Sequence, residues 1–321
     1  MLTRNNVATL ILLLIAAGCK SHVEVNIAPP EFANARKVFV TKITRPVKWG
    51  GEPDKPPAGL FNLIKYPAPI GNMDAYVGHI PQDGKLHPAI IWIIGGFGNG
   101  IGDEAWKPGP PGNDQSGSVF WKAGLTVMYV SQRGGNTNPG SDECFYGEID
   151  DIIAAAKYLA KQPGIDPGRI YLGGHSTGGT KTILAAEACD MFRATFSFGA
   201  VASVGYYGSD YATFDTTSLR EYVMRAPVCW LASLKKPIFI FDGVNNSNIE
   251  SLRYLKDSAA AQHITIAKFY EINNADHFTV LQPVSKIIAQ KIIADSTGNV
   301  CNITFDSTRL NDIFKDVKGG E

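Results

Sequence analysis

The sequence predicts an α/β fold: a mostly parallel central sheet with helices on both faces and a small lid inserted late in the chain. Three observations predict it. Continuous apolar runs such as Pro88–Ile94 and Leu125–Val130 read as strands buried on both faces. Segments between such runs carry apolar residues at helical spacing, as Ile149, Ile152, Ile153, Ala156, Leu159 and Ala160 do. Glycine and proline punctuate the joins. Strands and helices alternating over these lengths imply right-handed crossovers and parallel pairing.

Two β-rich runs, Val38–Ile43 and Asp74–Ile80, precede the main alternation, with turn-forming Pro and Gly around them. The strand Pro88–Ile94 ends in Gly95-Gly96, and Leu125–Val130 is the next strand. A helix is expected over Tyr146–Lys161, stopped by Pro163-Gly164. A strand at Arg169–Gly173, a helix at Thr180–Ala188 and a strand at Thr195–Val204 follow. Gly205–Lys236 is less regular and rich in Tyr, Gly and Ser. Pro237–Phe241 returns as strand, Ile249–Ala261 as helix, Ile264–Tyr270 as strand and Val284–Ala294 as an amphipathic helix. No long linker interrupts the series, so residues 37–321 read as a single domain with a lid at about 205–236.

Composition narrows the function. The 321 residues include 30 basic and 30 acidic side chains, and this zero net charge argues against a nucleic-acid binder. Apolar residues at 45% and charged residues at 19% exclude a disordered chain. Glycine (33) and proline (19) recur without a fixed period, which excludes collagen and solenoid architectures. The six histidines are scattered and no Cys-x-x-Cys occurs, so no metal site is expected, and no organic cofactor is implied.

At the N-terminus Arg4 precedes the apolar run Val7–Ala17, then Gly18 and Cys19. A positive start, a short apolar run and small residues describe a secretory signal, too short for a membrane span. The segment resembles a bacterial lipoprotein signal, whose cysteine is lipidated and becomes the mature N-terminus; Ala16 departs from the leucine usual there. The resemblance implies a signal at 1–18, lipidation of Cys19 and a polar tether over 19–36. Lys20 after the cysteine favours the outer membrane by that family's sorting rule. The expected location is therefore the cell envelope, lipid-anchored on the periplasmic side, or otherwise the periplasm or exterior. Cys144, Cys189, Cys229 and Cys301 would then meet an oxidising compartment, where pairing is allowed but its pattern is open.

The chemistry-bearing motif is Gly174-His175-Ser176-Thr177-Gly178, a G-x-S-x-G at a strand-to-helix junction. Flanking glycines let a serine sit on a sharp, strained turn that exposes its hydroxyl beyond the sheet. The amide of Thr177, at the helix start, is placed to stabilise an oxyanion. With these residues the chain resembles the α/β-hydrolase superfamily. The stretch Asp166–Gly179 is similar to the catalytic domains of the prolyl oligopeptidase and acyl-aminoacyl-peptidase group. Gln132-Arg133-Gly134-Gly135 and Gly147–Asp151 support the same likeness, which runs from about Pro88 to Ala294.

A serine hydroxyl needs a base, and His277, in the loop before the last helix, satisfies the order Ser…acid…His. His175 is expected to pack structurally, and Asp276 to serve its own loop. The acid is open. The resemblance places it three residues beyond Gly243, where this chain has Asn246, which cannot balance an imidazolium. Asp242 is the first choice and Asp210 the alternative. The second oxyanion donor is expected from Gly95–Gly100, with the amide of Phe97 preferred. This loop resembles the His-Gly-Gly loop of relatives, with Ile94 in place of the histidine.

The stretch between Cys19 and Ile90 is too short for the propeller of prolyl oligopeptidases proper. The lid instead offers Tyr206, Tyr207, Tyr211, Phe214, Tyr222 and Trp230, either to substrate or to its own packing. The leading expectation is a serine hydrolase acting on a small ester, amide or short peptide through an acyl-enzyme. An acyltransferase on the same site and a non-catalytic surface-binding lipoprotein are the alternatives.

Overall fold

The computed structural model describes residues 31–295, 298 and 300–315. The signal 1–18, Cys19 and most of the expected tether lie outside the described residues. Eight strands form one sheet: β1 (Phe61–Ala68), β2 (Gly71–Gly78), β3 (His87–Ile93), β4 (Thr126–Val130), β5 (Ile165–His175), β6 (Thr195–Phe198), β7 (Ile238–Asn245) and β8 (Ala267–Asp276). Their spatial order is β1-β2-β4-β3-β5-β6-β7-β8. β1–β2 and β2–β4 are antiparallel, and every other neighbour is parallel. This is the α/β-hydrolase arrangement.

The α-helices among the described residues are α1 (Phe32–Val38), α2 (Ser118–Lys122), α3 (Glu148–Leu159), α4 (Thr177–Ala188), α5 (Leu219–Val223), α6 (Ile249–Ala261), α7 (Leu281–Ala294) and α8 (Ser307–Asp312), and short 3-10 turns join some of the elements. Strand periodicity sorts the core into two faces. Ile90 and Trp92 of β3 and Phe239 and Phe241 of β7 pack with Val284, Ile288 and Ile292 of α7. Ala89, Ile91 and Ile93 face Ile149, Ile152 and Leu159 of α3, while Ile238 and Ile240 face Leu252 and Leu255 of α6. Each fully buried side chain of this size stabilises the fold by roughly 1.5–3 kcal/mol over the exposed state. Helix α4 lies so deep that every residue from Thr177 to Glu187 is buried.

Two expectations fail at the N-terminal end. Val38–Ile43 is not a strand: Val38 ends α1, and Ile43 makes only an isolated bridge to Phe214. Phe39 and Ile43 pack against the core from outside the sheet, while Val38 is 74% and Val40 88% exposed. The tether also stops short of residue 36. The Phe32 ring is fully buried and stacks on Trp230 at 4.8 Å, its amide donates to Ser233 Oγ, and Arg36 pairs with Asp150 at 2.8 Å.

The segment 205–236, expected as a lid, is tied to the N-terminal segment and the loop before α3 through Glu221 and Arg225. Glu221 accepts from the Thr41 hydroxyl at 2.8 Å, the Lys42 amide at 2.6 Å and the guanidinium of Arg225. Arg225, fully buried, also donates to the carbonyls of Glu143 and Cys144. Phe214 and Trp230 are core residues, and among the expected lid aromatics Tyr207 and Tyr211 reach the loop after β3. Cys144, Cys189, Cys229 and Cys301 are unpaired thiols.

Candidate active site

Ser176 stands between the end of β5 and the first residue of α4 with φ 55° and ψ −117°. For a non-glycine residue such a conformation stores on the order of 1–3 kcal/mol. The surrounding chain enforces it: the Ser176 amide donates to the Phe198 carbonyl at 2.8 Å, and the Thr180 amide donates to the Ser176 carbonyl at 3.0 Å. The neighbouring glycines are steric necessities. A Cβ on Gly178 would lie 2.2 Å from the Ile93 carbonyl oxygen, and one on Gly174 would lie 2.7 Å from that of Gly178. As the first helical residue, Thr177 has no intrahelical acceptor for its amide, which sits at the positive end of the α4 dipole.

The loop after β3 is bound to this turn. The Thr177 hydroxyl donates to the Gly96 carbonyl, which holds the Gly95–Gly100 segment against the serine turn. Phe97 is stacked face to face on Tyr211 at 3.6 Å and meets the edge of Tyr207 at 5.4 Å. The Tyr207 hydroxyl lies 2.8 Å from Thr180 Oγ1, which itself contacts the Ser176 carbonyl at 3.3 Å.

His277 follows β8 and rests against both segments that flank the serine. Its main-chain carbonyl accepts from His175 Nε2 at 2.9 Å, and the two imidazole centroids are 4.5 Å apart. Its ring also lies over Gly199, the residue after Phe198, so closely that a Cβ there would be 2.4 Å from Cε1. His277 Nδ1 faces Asp242 Oδ1 at 3.9 Å, longer than a hydrogen bond. His277 Nδ1 and Asp242 Oδ2 are both buried without a hydrogen-bond partner. Burial pushes the Asp242 carboxyl up to about 7, and burial also lowers the His277 imidazole. Each group gains by forming an ion pair with the other, because each charged form is otherwise isolated from water.

The other carboxylate candidates stand elsewhere. Asp210 is exposed in the short helical turn Ser209–Tyr211; its main-chain carbonyl accepts from Arg45, and it makes no ion pair or hydrogen bond with His277. Asn246 is exposed at the tip beyond β7 with φ 40°. Asp242 pairs in register with Glu271, and beyond it a register shift between Gly243 and Asn245 sets Asn245 opposite Asp276. Asp276 Oδ1 accepts from the amides of Phe278 and Thr279 at 2.9 and 2.8 Å and so shapes the loop that carries His277.

Two residues position this group: His175, which packs structurally as expected, and Gly199, which the sequence reading did not single out. His175, with no exposed surface, joins the His277 carbonyl to the Gln115 side chain, 3.0 Å from Nδ1. Burial pushes its imidazole down to about 3, so it stays neutral and acts as a fixed strut. Gly199 supplies the flat bed for the His277 ring. Neither contact leaves a local pattern, since each joins distant parts of the chain.

Beside Gly96 and Phe97 opens a pocket of about 190 Å³, walled by Trp49, Phe97, Phe145 and Tyr211. Asp142 and Lys181 also line it.

The prolyl oligopeptidase family pattern matches residues 114–289, more than half of the chain. No curated protein sequence matches it significantly. Among solved structures, the puromycin-hydrolyzing peptidase of Mycobacterium tuberculosis superposes with a TM-score of 0.59 at 18% identity, over 74% of this chain and 39% of that one. Dipeptidyl peptidase 4 of Porphyromonas gingivalis gives 0.57 at 16% identity, over 73% and 35%. The acylaminoacyl peptidase of Pyrococcus horikoshii gives 0.56 at 16%, over 78% and 43%. The chain thus spans less than half the length of each of these structures, and the likeness is one of fold. By its sequence pattern and its α/β-hydrolase sheet, this chain belongs to the prolyl oligopeptidase family.

Proposed function

We propose that the protein is a serine peptidase that cleaves amide bonds of short peptides, with related esters as alternative substrates, through an acyl-enzyme. The observation that carries this reading is the strained turn at Ser176, with the helix-start amide of Thr177 beside it, together with His277 facing the buried Asp242 carboxyl. Ser176 Oγ attacks the substrate carbonyl carbon while His277 Nε2 takes its proton. The negative oxygen of the tetrahedral adduct is held by the Thr177 and Phe97 amides. Protonation makes His277 an imidazolium, and Asp242 stabilises that charge through Nδ1. The adduct then collapses, His277 returns the proton to the leaving amine, and a water molecule releases the acyl group by the same steps. Membership of a peptidase family supports amide cleavage, and the open gap at Asp242 suits a group that engages fully only when the imidazole becomes charged.

The N-terminal segment extends the proposal to location: an exported protein, held at the envelope through lipidated Cys19. Side-by-side kinetics of Asp242→Asn and Asp210→Asn test the assignment of the acid. On peptide p-nitroanilides, Asp242→Asn should lose roughly 10³-fold or more in kcat, by analogy with serine-peptidase triads, and Asp210→Asn less than about threefold. The opposite ranking would move the acid to Asp210.

A further inference from the structure

The pocket beside Phe97 has no part in the bond-breaking steps above. A 150 Å³ apolar cavity suffices for benzene, so about 190 Å³ accepts an aromatic ring or an extended side chain. Its walls are aromatic on several sides, with Trp49, Phe145 and the stacked Phe97–Tyr211 pair. Asp142, only 8% exposed, accepts from Trp49 Nε1 at 3.0 Å and from the Cys144 amide at 2.6 Å. Those two bonds leave about half of the carboxylate's acceptor sites unused.

Arg45 and Lys181 line the pocket together with Asp142 and Asp210, but neither cation pairs directly with Asp142. Asp142, Glu143, Glu148 and Asp151 come from one loop and the helix that follows it. Arg133 pairs with Glu143 at 2.6 Å and Asp151 at 2.9 Å. Lys181 directs its ammonium to the neutral oxygens of Asn99 and Gln132, each at 2.8 Å, and lies 5.5 Å over the Phe145 ring, and among the described residues no carboxylate is within ion-pair distance of it. Lys181 acts on Asp142 only at a distance, Arg133 acts likewise on Glu148, and Glu148 Oε2 is buried without a partner. Burial, reinforced by Glu148, holds the Asp142 carboxyl up at about 6. At the exposed rim, Arg45 donates to the carbonyls of Asp210 and Ala212, where solvent screens its charge.

The pocket wall includes strained backbone. Cys144 and Phe145 are consecutive non-glycine residues with φ 50° and 71°, and buried Arg225 pins the Glu143 and Cys144 carbonyls. Strain of this kind persists where the fold over-determines a functional surface.

We infer that this pocket is a subsite for an organic cation, a basic side chain or the α-ammonium of a peptide, seated between the aromatic walls with its charge on Asp142. Cation–π contact and a carboxylate that neither Arg45 nor Lys181 pairs directly recognise the same ligand. The assignment of that ligand to a substrate rests on the peptidase reading; the binding itself does not.

The experiment is calorimetric titration of the full chain with benzylammonium and with benzyl alcohol, which have the same shape and differ in charge. Benzylammonium should bind at least about tenfold more tightly, and Asp142→Asn should abolish the difference. Trp49→Leu, a change at a partly exposed wall, should weaken benzylammonium and serves if Asp142→Asn does not fold. Equal binding of the two probes by the wild type, or a preference that survives in folded Asp142→Asn, overturns the inference. Two kinetic comparisons then separate the sources: N-acetyl-lysine against N-acetyl-norleucine anilide for a side chain, and free against acetylated norleucine anilide for an α-ammonium. Fluorophosphonate labelling of Ser176 without a cation preference refutes the subsite alone. A cation preference without labelling refutes the peptidase reading and leaves a binding site.

Discussion

Replacement of Gly199 by alanine tests the placement of His277 without changing any group that handles a proton. The added Cβ would lie 2.4 Å from His277 Cε1 and 2.6 Å from Nδ1, with Gly199 at φ +59°. Ordinary carbon contacts begin near 3.5 Å, so the ring must retreat by about 1 Å. A displacement of that size at a reacting group reduces rate by roughly 10²-fold. Alanine in the left-handed region also destabilises the fold by about 1–2 kcal/mol, which alone could depress activity. Gly208→Ala bounds this from above: Gly208, at φ +90° and ψ 160°, lies where side chains are disfavoured still more, and nothing lies within 4 Å of a Cβ there. The second-order rate of fluorophosphonate labelling, measured with melting temperature, should fall about 100-fold in Gly199→Ala and less than about threefold in Gly208→Ala. Folded Gly199→Ala labelling within threefold of wild type would refute the proposed role of the imidazole.

Other perturbations have equally definite signs. Glu187 is buried with neither carboxylate oxygen bonded, and burial alone raises its carboxyl well above the usual range. A raised carboxyl weakens the fold as pH climbs through its unfolded value near 4.5. Glu187→Gln should therefore match wild type near pH 4.5 and exceed it at pH 8 by more than about 1 kcal/mol, read from thermal melts. Arg225→Met leaves Glu221 buried without its guanidinium partner and should destabilise by about 3–5 kcal/mol in denaturant titration. The labelling rate of the wild type should rise with pH as the proton held between Asp242 and His277 leaves, since a protonated imidazole cannot accept from serine. A rate that is flat or falling through that limb, in protein that stays folded, would contradict the role of the pair.

Most of the sheet was legible because strands buried on both faces read as continuous apolar runs, and Ile249–Ala261 forms the helix expected of it. β1 was not, because Phe61–Ala68 contains Pro67 and exposes one face, as an edge strand can. Val38–Ile43 misled for the converse reason: its β-branched alternation belongs to a surface segment whose backbone bonds to residues 213–215 and Glu221. The serine turn announced itself through local sterics. The facing of Asp242 toward His277 joins the end of β7 to the loop after β8, a long-range contact that residue types do not encode. His175 and Gly199 matter through contacts between β5, β6 and the last loop, and such contacts exist only once the sheet is assembled.

The most direct measurement of the central claim is fluorophosphonate labelling of the full chain, with the modified residue mapped by mass spectrometry. Labelling confined to Ser176, lost in Ser176→Ala and strongly slowed in His277→Ala, is the predicted result. Folded wild-type protein that stays unlabelled beside a reactive serine hydrolase control, or that labels elsewhere, would contradict an activated serine at this turn.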